Sequence, residues 1–269
     1  GELSEMLLEE EEKMSGLVVL SHGEFNLVYN ALSFGIAAMG AFLVYAVLAR
    51  NLVTVKNQLA VIITAIVALV ALYHYLRIFN SWNAAFTMKS MGQYVMNGTP
   101  FNEAYRYVDW LLTVPMLLME LVIVLRLDRE KTRSLIVRLV IASIAMIALG
   151  YPGEVASGNG TKLLFFTLSF IFFIYILYVL FVELSKSLDR QPASVVKIVG
   201  YARYVLVGTW MVYPLAFLSP IVISNNATSL VVRQVGYSIA DILAKPLFGI
   251  LVVAMAILKS QEKEPADLS

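Results

Sequence analysis

The chain has no cysteine, so a disulfide framework and a thiolate metal site are both excluded. It has two histidines, His22 and His74, which leaves no basis for a structural zinc site. Charge is scarce as well: 14% of the 269 residues are Asp, Glu, Lys or Arg, against about 25% in soluble domains. The net charge of +1 carries no footprint for a nucleic-acid partner. A signal peptide needs a basic start and an apolar core. Residues 1–24 have neither, and Glu2, Glu5 and the run Glu9 to Glu12 make them acidic. Met6, Leu7 and Leu8 are expected on one side of a short surface helix. The chain opens on Gly1 rather than Met, and a processed or trimmed start is expected.

What the chain has in abundance is apolar length. Hydrophobic residues make up 59% of it, the composition of a multi-pass membrane protein. Seven spans, each near the ~20 residues needed to cross a bilayer, fall at about 25–49, 57–79, 102–126, 131–151, 161–188, 195–222 and 230–258. The expectation is an all-α, seven-helix transmembrane bundle: an extracellular segment 1–24, a membrane domain 25–260 and a cytoplasmic tail 261–269. Between spans two and three, Gly92, Asn97, Gly98 and Pro100 flank Tyr94-Val95, which predicts a small β-hairpin. Arg50, Lys56, Arg126, Arg129, Lys131, Arg133, Lys186, Arg190, Lys197, Lys259 and Lys263 fall at one end of the spans. Basic loops face the cytoplasm, so the N-terminus is expected outside.

Span three breaks the apolar rule. It holds Arg106, Asp109 and Glu120, and ionisable groups inside a bilayer are costly and functional by default. Eleven residues of helix return the direction to within ~20°, so Asp109 and Glu120 share a face roughly 16 Å apart along the axis. Arg106 and Thr113, at i−3 and i+4 from Asp109, lie on the same stripe. A cation, an acid, a hydroxyl and a second acid are thus aligned along the membrane normal, the pattern of a proton path. Glu120 has no cationic partner on its face, and burial is expected to keep it neutral in the dark.

Span seven carries Asp241 and Lys245 at i and i+4, followed by Pro246. A desolvated lysine amine forms Schiff bases with carbonyl compounds. The protonated product needs carboxylate counter-ions, which Asp109 and Asp241 would supply. Trp110, Trp210, Tyr213 and Tyr237 would wall a flat apolar ligand. Spacing alone admits a buried ion-pair network equally with a chromophore site.

Several segments together resemble one family: GEFNLVYNALSFGIAAM, YHYLRIFNSW, AYRYVDWLLTVPMLLMELV, GYPGEV, YILYVLFVELS, Trp210 to Pro214, and VGYSIADILAKPLFG. They resemble the microbial rhodopsins across all seven spans, in particular the proteorhodopsin and xanthorhodopsin group of light-driven outward proton pumps. The resemblance implies all-trans retinal bound covalently at Lys245, with Asp109 as counter-ion and proton acceptor and Asp241 as second counter-ion. It implies Glu120 as proton donor, Thr113 as part of the Asp-Thr-Glu triplet, and Arg106 beside the counter-ions. His74 would pair with Asp109. Trp110, Trp210, Tyr213 and Tyr237 would line the retinal pocket, and Leu117 sits where leucine accompanies green absorption.

Antenna-bearing relatives have a glycine on span five where Phe166 stands here, so no carotenoid antenna is expected. The resemblance further implies a multi-pass protein of the bacterial inner membrane, a pentamer or trimer in lipid, with protons as its transported substrate and no enzymatic reaction. The main alternative is a photosensory rhodopsin that signals through a partner protein. Bland readings stand beside several roles. His74 would be a satisfied helix-end histidine, Glu120 interhelical glue, and Thr113 a back-bonded hydroxyl. Glu154, next to Pro152-Gly153, reads as a solvated loop acid, with proton release as its alternative.

Overall fold

The computed structural model describes residues 3–8 and 17–262. The acidic run Glu9 to Glu12 and the tail from residue 263 lie outside them. Residues 3–8 are helical, and Met6, Leu7 and Leu8 are all exposed.

Seven helices follow: α1 (His22–Leu52), α2 (Val55–Ala85), α3 (Ala104–Val124), α4 (Arg129–Val155), α5 (Asn159–Ser187), α6 (Ala193–Phe217) and α7 (Asn226–Ser260). Each is long and apolar enough to cross a bilayer. In lipid no water satisfies the backbone, so it must satisfy itself within each helix. The outward faces show the same solvent logic, with Phe34, Leu48, Ile141 and Ile171 all exposed. The inward faces form two apolar clusters. One is built around Leu118, Leu121, Val179 and Val252 on α3, α5 and α7. The other lies around Phe25, Tyr75, Ile78 and Trp82 at the ends of α1 and α2.

The expected hairpin is present as β2 (Phe86–Met88) and β3 (Tyr94–Met96), paired antiparallel with Thr87 opposite Val95. A third strand was not anticipated. β1 (Val19–Leu20) pairs antiparallel with β3, giving the order β1-β3-β2. Phe25 stacks on Tyr94 at 3.9 Å between centroids and ties the sheet to α1. The sheet therefore caps one end of the bundle, and the basic connectors fall at the other.

Among the helix ends that differ from expectation are those of α2 and α4. α2 continues to Ala85, six residues past the predicted end at 79. α4 continues through Pro152-Gly153 to Val155, so this pair is helix rather than loop. Gly153 is there for close packing: a Cβ would lie 2.7 Å from the Phe217 ring. α7 widens into a π turn over Leu243–Leu247, around Lys245 and Pro246. Proline cannot donate a backbone hydrogen bond, and such bulges concentrate at functional sites.

Candidate functional site

Lys245 on α7 is buried, and its Nζ lies 3.0 Å from Asp241 Oδ1 and 3.1 Å from Asp109 Oδ2. One amine from the π turn is thus held between acids on α3 and α7. The two acids are not equivalent.

Asp241 is saturated. Its Oδ1 accepts from Trp110 Nε1 at 3.1 Å, Tyr213 OH at 2.6 Å and Lys245 Nζ at 3.0 Å. Its Oδ2 accepts from Tyr75 OH at 2.6 Å and Arg106 Nη1 at 3.3 Å. So many donors, two of them cationic, favour the anion. Asp109 has less. His74 Nδ1 lies 3.2 Å from Oδ1, and among the described residues Oδ2 has no hydrogen bond beyond its ion pair with Lys245. His74 Nδ1 is also 2.9 Å from the Val70 carbonyl. A carbonyl only accepts, so Nδ1 carries the hydrogen and shares it between the two oxygens.

Arg106 is buried and fully engaged. It donates from Nε to Gln234 Oε1 at 3.0 Å, and from Nη2 to Ser238 Oγ at 3.1 Å and the Gln234 carbonyl at 3.3 Å. Its guanidinium lies between the Tyr75 and Tyr237 rings, 5.6 and 5.5 Å from their centroids. Thr113 donates to the Asp109 carbonyl at 2.9 Å, the back-bonded geometry, and so steadies the turn that carries the acid.

Glu120 stands apart from this group, buried on the same helix toward the basic end. Its partner is Thr64 on α2, whose Oγ1 lies 2.7 Å from Glu120 Oε2 and 3.0 Å from the Ala60 carbonyl. A hydroxyl has one hydrogen. Thr64 Oγ1 is within donating distance of both acceptors and has that one hydrogen to give. Among the described residues Glu120 Oε1 has no hydrogen-bond partner. A neutral carboxylic acid tolerates this; a buried carboxylate would not.

Beside the amine lies an apolar cavity of about 700 Å³, open mouth included, walled by α3 to α7. Trp110, Trp210, Tyr213 and Tyr237 line it, as expected, together with Met146, Phe170 and Phe173. Trp110 and Tyr213 belong to both parts of the site, since each lines the cavity and bonds the same Asp241 oxygen as Lys245. Phe166 forms part of the wall, stacked on Phe170 at 5.5 Å. Leu117 is buried in the core but is not among the lining residues.

The reading of Glu154 as a solvated loop acid is wrong. It sits on α4 with a side chain only 2% exposed, ion-paired to Arg233 at 3.1 Å and bonded by Tyr107 and Tyr237. Tyr75, Thr64 and Gln234 were also missed. Tyr75 stands inside the segment YHYLRIFNSW and Gln234 one residue before VGYSIADILAKPLFG, but nothing local marks them as polar partners.

The fold and this site define a class: a seven-helix membrane protein with a lysine amine buried in a carboxylate pair at the edge of an apolar cavity. The chain belongs to the bacteriorhodopsin-like protein family, the microbial rhodopsins, whose model matches residues 27–259. It is similar to a thermophilic rhodopsin, with 45% identity and a TM-score of 0.87 over 91% of this chain and 98% of that one. Xanthorhodopsin, described as a light-driven ion pump with dual chromophore, is 44% identical, with a TM-score of 0.85 and the same coverage. A green-light absorbing proteorhodopsin from Gamma-proteobacterium EBAC31A08 is 25% identical over 235 residues, 86% of this chain and 88% of that one. Membership of the family implies a retinal chromophore. The residues present fit one: a buried amine, an apolar aromatic cavity beside it, and a carboxylate oxygen with no other partner.

Proposed function

We propose that the chain is a light-driven outward proton pump of a bacterial plasma membrane, with retinal attached at Lys245. The observation that carries this reading is the inequality of the two acids around one amine. Asp241 receives five donors and stays a fixed anion. Asp109 keeps one oxygen without a hydrogen bond, and that oxygen faces Lys245.

Retinal, bound to Lys245 as a protonated Schiff base, supplies light absorption and a light-driven change in proton affinity at the linking nitrogen. Asp109 then binds a proton on Oδ2, while His74 holds Oδ1 and keeps the carboxyl aimed. Arg106 compensates Asp241 throughout, so the second acid does not compete for that proton. Glu120 serves as the donor from the opposite side, because it holds a proton and lies about three helical turns from Asp109. Thr64 holds its carboxyl in place. Trp110, Trp210, Tyr213 and Tyr237 shape the cavity and exclude water from it.

Direction follows from charge. The basic end faces the cytoplasm and the sheet end faces outward. The acceptor is then on the outer side of Lys245 and the donor on the inner side. Each proton moved against 100 mV costs about 2.3 kcal/mol. The closed wall at Phe166 supports retinal as sole chromophore, without a carotenoid antenna. Residues 25–260 form the transporting domain, between an outer segment 1–24 and an inner tail 261–269, and the resemblance supports a trimer or pentamer in lipid. No enzymatic reaction is proposed.

The test is illumination of intact pigmented cells in unbuffered medium. Acidification that an uncoupler abolishes supports the pump. An unchanged external pH favours a sensor that signals through a partner.

A further inference from the structure

At the basic end of the bundle a polar clasp joins the α1–α2 turn to the last turn of α7. The Thr54 backbone N donates to Ser260 Oγ at 3.0 Å, and Ser260 Oγ donates to the Ala256 carbonyl at 2.8 Å. Asn57 sits in the tight first turn of α2. Its Nδ2 donates to Thr54 Oγ1 at 2.8 Å and lies 3.4 Å from Ser260 Oγ. Asn57 is 5% exposed, yet among the described residues its Oδ1 has no hydrogen-bond partner. Buried polar atoms are ordinarily satisfied by protein or by ordered water. A second clasp, on another side of α7, differs in this respect. Gln191 uses both ends of its amide: Oε1 accepts from Lys259 Nζ at 3.0 Å and Nε2 donates to the Leu125 carbonyl at 3.0 Å.

Asn57 is also aligned with Glu120. Thr64, whose Oγ1 is 2.7 Å from Glu120 Oε2, stands seven positions further along α2. Seven residues return the helical direction to within ~20°, so Asn57 and Thr64 share a face about two turns, roughly 10 Å, apart. Ala60 and Val61 lie between them on α2, and Ala256 and Val253 run back from Ser260 on α7. All four are buried in one apolar cluster with Leu121 and Val124, which follow Glu120 on α3. At Ala60 and Ala256 this layer carries a single methyl from each helix. A short, thinly filled layer thus separates the unsatisfied amide oxygen from the acid.

We propose that Asn57 Oδ1 holds the water through which the proton that refills Glu120 enters from the cytoplasm. This rests on the outward-pump reading, with Glu120 as donor. Once Glu120 has given up its proton, its carboxylate draws another across the layer at Ala60 and Ala256. An O–H bond of the water on Asn57 breaks, the proton passes along hydrogen-bonded water, and an O–H bond forms on the Glu120 carboxyl. The water on Asn57 takes its replacement proton from the cytoplasm. Asn57 itself neither gains nor loses a proton, so it is a positioning residue. Thr54 and Ser260 hold its Nδ2 and leave Oδ1 free to accept.

The test follows the Glu120 carboxyl by time-resolved infrared spectroscopy, with a pH-sensitive dye in the bulk, after a flash on detergent-solubilised pigment. Asn57→Leu removes both halves of the amide. Asn57→Asp keeps an oxygen acceptor and loses the bond to Thr54. In Asn57→Leu, Glu120 should lose its proton at the normal rate, while its refilling and the uptake seen by the dye slow by about tenfold or more, the scale of one lost hydrogen bond. In Asn57→Asp refilling should stay close to normal. A merely structural clasp would slow both variants alike, since both lose Nδ2. Asn57→Val carries the same expectation as Asn57→Leu and decides the matter if the latter gives no pigment. Normal refilling in the apolar variant overturns the entry site. So does a slowed loss of the Glu120 proton, or refilling in Asn57→Asp as slow as in the apolar variant. In each of these cases the pump stands if illuminated cells with the unsubstituted chain acidify their medium. Absence of that acidification overturns the pump, and the entry site with it.

Discussion

Lys245 and Asp109 meet at 3.1 Å through a carboxylate oxygen that makes no hydrogen bond to any other described residue. The neighbouring acid, Asp241, has no such vacancy, with five donors on its two oxygens. The proposed function depends on that contrast, and the first test is the amine itself. Purified protein given all-trans retinal should develop a visible band, and Lys245→Ala should give none. A Lys245→Ala protein with an undiminished band would remove the attachment point.

Glu120 is buried with Oε1 unpartnered among the described residues and Oε2 2.7 Å from Thr64 Oγ1. Glu120→Gln should keep the colour and slow recovery after a flash by roughly 10²-fold or more, the scale of a lost general acid. Thr64→Val should slow it less. Recovery at the normal rate in Glu120→Gln would mean that the proton returns by another path.

Tyr75 reaches Asp241 only because Gly35 leaves room for its ring. A Cβ at position 35 would lie 2.5 Å from the Tyr75 ring. Gly35→Ala should push Tyr75 off the carboxylate, shift the visible maximum and lower stability by about 1–3 kcal/mol, the usual cost of overpacking. Thermal bleaching measures the second effect. A variant with unchanged colour and bleaching temperature would show that the ring yields without loss.

The absence of cysteine gives a clean test of orientation. Met91, 93% exposed, is at the sheet end, and Val55, 84% exposed, is at the basic end. In intact cells a membrane-impermeant maleimide should label Met91→Cys and leave Val55→Cys untouched. The reverse pattern would turn the pump inward.

Phe166 lines the cavity and stacks on Phe170. A carotenoid offered to the unsubstituted pigment should transfer no excitation to retinal, and Phe166→Gly should gain transfer. Transfer before substitution would show that the phenylalanine does not close the wall.

Much of this was legible in the chain. Asp109 and Glu120 announce themselves as acids in an apolar run, and their spacing puts them on one face. Lys245 and Asp241 do the same at i and i+4. The bundle follows from seven runs of the right length, and the hairpin from its turn residues. The partners were not legible. Tyr75 bonds an acid 166 positions away and Thr64 one 56 positions away, while a tyrosine or threonine in a membrane helix carries no local sign of such a role. Glu154 was misread for a different reason. Pro152-Gly153 reads as a chain break, yet the lost backbone bond is tolerated inside α4, and the glycine is needed for the close approach of Phe217. The third strand escaped because two residues, Val19-Leu20, have no periodicity to read.

The most direct test is infrared difference spectroscopy on illuminated pigmented vesicles. A new protonated-carboxyl band should rise within the photocycle, and it should be missing in Asp109→Asn. If no such band forms, or if it survives that substitution, the proton does not go to Asp109 and the outward step has no acceptor.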